Sequence, residues 1–102
     1  MESSEKIHKI LLVDDREENL FSLENMLDQD GRVFFKALSG SEALKVAFAE
    51  DISLIMLDVQ MPGMDGFATA NILQSNPKTA KVPIVFVTAI NKDQKHMVKG
   101  LK

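Results

Sequence analysis

Three short apolar runs, each ending on an oxygen-bearing side chain, constrain this chain more than any bulk property. Ile10, Leu11, Leu12 and Val13 run into Asp14 and Asp15; Leu54, Ile55, Met56 and Leu57 run into Asp58; Ile84, Val85, Phe86 and Val87 run into Thr88. Short runs rich in β-branched residues and bounded by polar ones read as strands buried on both faces, the kind that parallel sheets contain. In an open α/β sheet, ligands bind in the crevice outside the carboxyl ends of the strands. Three carboxylates and a hydroxyl are therefore expected to meet at one rim. Three clustered negative charges call for a cation, and all-oxygen ligation selects a hard ion such as Mg2+.

Helical patterns separate these strands. Residues 16–29 place Leu20, Leu23, Met26 and Leu27 on one helical face. Residues 32–38 form a less apolar strand, expected at the sheet edge. Ser39 and Glu42 make a capping box for a helix over 40–50, with Ala43, Leu44, Ala47 and Phe48 inward. Pro62, Gly63 and Gly66 punctuate a loop, and Asp65 can cap a helix over 66–75 that turns Phe67, Ala70 and Leu73 inward. Asn91 is expected to cap a last helix running to Leu101. Strand and helix thus alternate four times, and right-handed βαβ crossovers put helices on both faces of a parallel sheet.

The bulk numbers set limits on function. At 102 residues the chain fits one domain, with 45% hydrophobic and 26% charged residues. A net charge of −3 with no dense basic stripe gives no attraction to nucleic acid. No apolar run approaches the roughly 20 residues needed to cross a bilayer, and the first residues lack the regions of a signal peptide. The lack of cysteine fits a cytoplasmic location. His8 and His96 stand alone, without metal-ligand spacing, and Lys92, Lys95 and Lys99 read as a solvated face.

The segment Leu57-Asp58-Val59-Gln60-Met61-Pro62-Gly63-Met64-Asp65-Gly66, taken with Leu11-Leu12-Val13-Asp14-Asp15 and Val87-Thr88-Ala89, resembles a response-regulator receiver domain, the phosphorylated half of two-component signalling. The resemblance runs from about Lys9 onward, leaving residues 1–8 as a tail and 9–102 as the receiver. It implies a flavodoxin-like, doubly wound sheet of order 2-1-3-4, with the family's fifth strand and fifth helix missing from this chain. It also implies a set of roles: Asp58 as phosphoacceptor, Asp14 and Asp15 as the acid pair that holds Mg2+ (Asp15 directly, Asp14 partly through water), the backbone carbonyl of Gln60 as a further ligand, and Thr88 as the switch hydroxyl. Gln60 and Ile90 sit where receivers tune hydrolysis. The active-site lysine of the missing strand has no counterpart, which implies slow or incomplete phosphorylation.

Each role has a plainer counterpart. Asp58 could begin a loop turn, Thr88 could be an ordinary β-branched strand residue, and Asp15 with Glu18 could cap a helix. The implied function is a signalling phosphoacceptor, not an enzyme in its own right, that takes a phosphoryl group from a sensor histidine kinase or phosphotransfer protein and acts on an output domain of the parent chain. The alternative is a truncated receiver that no longer switches and serves as a protein-interaction module. A haloacid-dehalogenase-type phosphatase fits poorly, because Asp14-Asp15-Arg16 is not its Asp-x-Asp pair. A nucleotide-binding protein fits poorly because the first loop has no glycine. With order 2-1-3-4 the apolar fourth strand is left as an unprotected edge, and without the fifth helix a sheet face beside the first helix is left uncovered, so self-association through this edge or face, or exchange of elements with a second copy, is expected.

Overall fold

A computed structural model describes residues 6–89 and 96–99. Five strands form one sheet in the order β2-β1-β3-β4-β5: β1 (His8–Val13), β2 (Arg32–Ala37), β3 (Leu54–Asp58), β4 (Ile84–Ala89) and β5 (His96–Lys99). The first four run parallel, in the expected flavodoxin-like order 2-1-3-4. Helices α1 (Glu17–Leu27), α2 (Gly40–Ala49) and α3 (Gly66–Ser75) link them. Strand β1 begins at the last residue assigned to the tail.

The period-2 alternation of the strands divides the core into two layers. Leu11, Val13, Ile55, Leu57 and the half-buried Phe35, Ile84 and Phe86 pack with Ala43 and Ala47 of α2 and Ala70 and Leu73 of α3. On the opposite face, Ile10, Leu12, Met56 and Val87 pack with Leu20 and Leu23 of α1. Because β1 and β3 are buried on both faces, their runs are continuously apolar. Strand β2 takes the edge as expected, with Lys36 paired to Glu24 of α1 at 2.6 Å.

Three inward assignments need correction. Met26 is 73% exposed: at 100° per residue it lies about 90° round α1 from the stripe of Leu20, Leu23 and Leu27. Phe48 sits at the margin of its helix's buried face and is partly exposed. Phe67 is exposed too, its ring flanking Phe86 with centroids 4.9 Å apart.

The larger correction concerns the last helix. His96–Lys99 is a strand, antiparallel to β4, with Phe86 opposite Lys99 and Ala89 opposite His96. The rest of the expected helix, with its cap Asn91 and Lys92 and Lys95, lies outside the described residues, as does Ile90. The physical reason is the apolar edge of β4, whose free N–H and C=O groups template a strand. Pairing with that edge outweighs local helix propensity over four residues. Strand β4 is therefore not the sheet edge, and the edge part of the argument for self-association falls.

The helix starts follow the sequence closely. Ser39 Oγ accepts from the Glu42 backbone N–H at 3.1 Å, while the Glu42 carboxylate reaches past the cap to the Leu38 N–H at 2.9 Å. Asp65 Oδ1 accepts from the Ala68 N–H at 2.8 Å. An Asp65→Ala substitution is expected to cost about 1 kcal/mol, lowering the thermal midpoint by several degrees in a melting experiment.

Candidate functional site

The register of the central strands assembles the site. Val13 pairs with Leu57, so the next residues, Asp14 and Asp58, emerge side by side at the carboxyl ends of β1 and β3. Asp14, Asp15 and Asp58 each offer a carboxylate oxygen, and these oxygens lie within 4.8 Å of one another. Asp14 and Asp58 are buried and Asp15 is exposed, so the cluster opens to solvent on one side. Unit charges at about 4 Å repel by about 1 kcal/mol in bulk water and by about 4 kcal/mol at the effective dielectric of a protein surface. A hard divalent cation fits this all-oxygen donor set.

Asp14 and Asp58 are each held by their own local structure. The Asp14 N–H donates to the Ala37 carbonyl of β2 at 3.1 Å, which fixes the chain as it leaves β1. Its Oδ1 accepts from the Arg16 N–H at 3.0 Å. The Asn19 side-chain amide donates to both Asp14 oxygens, at 3.1 and 3.2 Å. Asp58 Oδ1 receives the Gln60 N–H at 3.4 Å, and the Val59 N–H donates to the Val87 carbonyl of β4 at 3.2 Å.

Asp15 does not cap α1. The residue before that helix is Arg16, which makes no side-chain cap. Glu18 instead holds the Arg16 guanidinium, accepting from Nε at 3.0 Å and Nη2 at 2.6 Å. That bond raises the Arg16 pKa above its ordinary value and lowers that of Glu18. The capping reading of Asp15 and Glu18 is thus replaced by an exposed ion pair beside the cluster.

Among the remaining expected site residues, Gln60 sits in the loop after β3 and contributes the N–H just described. Thr88 lies one residue beyond Val87, the β-partner of Asp58, at the carboxyl end of β4. Its side chain lies outside the described residues. The sequence reading singled out neither Asn19 nor the full role of Gly66. Asn19 stands five residues after Asp14, one turn into the helix, and that spacing is the signal that was available. Gly66 donates its N–H to the Val59 carbonyl at 3.1 Å, pinning α3 against the end of β3.

A mostly parallel α/β sheet with an acidic crevice at the carboxyl rim of its parallel strands defines the class. The sequence matches the family described as response regulator receiver domain over residues 10–102. It is similar to the response regulator PleD of Caulobacter vibrioides, 40% identical over 83 residues that make up 81% of this chain and 18% of PleD. Protein PilH of Pseudomonas aeruginosa is 33% identical over 86 residues, 84% of this chain and 69% of PilH. Among solved structures, response regulator TrrA of Thermotoga maritima, in complex with Mg2+-BeF, superposes with a TM-score of 0.75 at 32% identity, covering 83% of this chain and 72% of TrrA. This chain belongs to the response regulator receiver domain family of two-component signalling.

Proposed function

We propose that this chain is a phosphoacceptor of a two-component system, with Asp58 as the acceptor. The observation that carries the reading is the approach of Asp14, Asp15 and Asp58 to within 4.8 Å at the rim, in a member of the receiver family. An Asp58 oxygen attacks the phosphorus of a phosphohistidine on a sensor kinase or phosphotransfer protein. The P–N bond breaks, its electron pair returns to the imidazole, and an aspartyl phosphate forms. Asp14, Asp15 and Asp58, with the Gln60 carbonyl, would hold a Mg2+ ion. When bound, that ion supplies positive charge against the carboxylates and the transferred phosphoryl oxygens. Thr88, one residue beyond the β-partner of Asp58, would supply the hydroxyl that answers the phosphoryl group.

The working unit in this reading is residues 9–102, acting in the cytoplasm. It assists its own phosphorylation and signals to an output domain of the parent chain or to a partner protein, without turnover of a separate substrate. Among the described residues no helix is long and apolar enough to cross a membrane. Self-association now rests on the α1 side of the sheet, where Leu54 and Val85 are only half-buried.

Incubation with a small acyl phosphate and Mg2+ tests the reading. Intact mass is expected to rise by one phosphoryl group, peptide mapping should place it on Asp58, and Asp58→Asn should eliminate it. A phosphoryl group on another residue would overturn the assignment. A folded chain that takes up none would leave the interaction-module alternative.

A further inference from the structure

We infer that Asn19 is a positioning residue for the metal site, its side-chain amide clamping both oxygens of Asp14 so that the carboxylate presents a fixed face to the cation. The inference rests on the proposed Mg2+ role of the acidic cluster and deepens it. The amide nitrogen lies 3.1 Å from Oδ1 and 3.2 Å from Oδ2, a near-symmetric bifurcated contact. With the Arg16 N–H on Oδ1 at 3.0 Å, two donors from the start of α1 converge on one carboxylate. Asp14 is 1% exposed, so its carboxylate is anchored, whereas Asp15 next to it is exposed.

The arrangement divides the labour within the cluster. Helix α1 grips Asp14 through Asn19, and Asp15 stays turned to solvent, where an arriving cation can exchange water for it. Outer partners that orient a metal-binding carboxylate commonly change affinity by about 10–100-fold when removed, although they never touch the metal. Asn19 is uncharged, so its contribution is orientation and hydrogen bonding to Asp14, not neutralisation of the cluster.

Mg2+ affinity and fold stability can be read separately on the whole chain. Asn19 is half-buried in the first turn of α1, where alanine has the higher helix propensity. Asn19→Ala is expected to melt in EDTA only a few degrees below the wild type, the gain in helix propensity offsetting part of the lost hydrogen bonds to Asp14, yet to bind Mg2+ about 10-fold more weakly in a calorimetric titration. Asn19→Gln, which keeps the amide donor on a longer arm, is expected to recover part of that loss. Asp15→Asn serves as the reference that weakens binding directly. Asn19→Ala with wild-type or tighter Mg2+ affinity, beside a weakened Asp15→Asn, overturns the clamp and leaves the metal reading standing. A wild-type chain that binds no Mg2+ overturns both. Should Asn19→Ala lose its fold, Asn19→Ser supplies the affinity comparison with the same two outcomes.

Discussion

Gly66→Ala is expected to cost the fold about 3 kcal/mol or more and to abolish Mg2+ binding with it. A Cβ at this position would collide with the Asp58 carbonyl oxygen, would come 2.8 Å from Val59 Cα, and would sit 3.0 Å from the Asp58 carbonyl carbon. All three are backbone atoms, so no side-chain rotation relieves the overlap. Overpacking a well-filled site costs about 1–3 kcal/mol, and immovable neighbours push the value to the top of that range or beyond. For a domain of this size that is a fall of about 12 °C or more in the thermal midpoint. The displaced backbone belongs to Asp58 and Val59, so the site moves with the core. Gly63→Ala provides the contrast. Its Cβ would meet nothing within 4 Å, but φ is +76°, and left-handed backbone costs an L-residue about 1–2 kcal/mol. It should therefore lower the midpoint less and leave Mg2+ binding nearly intact. A Gly66→Ala midpoint within a few degrees of wild type would mean that the α3 start slides easily along β3.

The difference between these two glycines marks how far the sequence could be read. Both were visible as loop punctuation between Asp58 and α3, but only the closure of the chain onto β3 distinguishes a turn requirement from a packing requirement. The acidic rim was legible for a related reason. Apolar runs of buried strands end abruptly, and the residues at those ends must lie together once the strands pair in parallel. Asn19 offered only its spacing from Asp14 as a signal, because the contact itself depends on how α1 leaves the sheet. The last strand was misread as a helix for the same reason. Its four residues carry little intrinsic preference, and the free edge of β4 decides their conformation. Local patterns held wherever burial was on both faces, as in β1 and β3, and failed at margins such as Met26 and Phe67.

In metal-free solution, Asp58→Asn is expected to be more stable than the wild type by about 1–2 kcal/mol, a rise of about 5–10 °C. The sign follows from the cluster. Asp58 faces two further carboxylates within 4.8 Å, and the neutral amide removes both repulsions at once. The Asn side chain keeps an oxygen to accept the long 3.4 Å bond from Gln60. Mg2+ reverses the order: a saturating ion stabilises the wild type by mass action, by about 2.7 kcal/mol at 100 times Kd, and stabilises the variant far less. Melting curves recorded with EDTA and with excess Mg2+ should therefore cross between the two proteins. Asp14→Asn is expected to gain less in EDTA, because an amide in place of the carboxylate turns one NH2 group toward the donors of Asn19 and Arg16. An Asp58→Asn protein less stable than wild type in EDTA would mean that native partners already compensate the Asp58 charge, and that the acidic rim stores no repulsion for a cation to relieve.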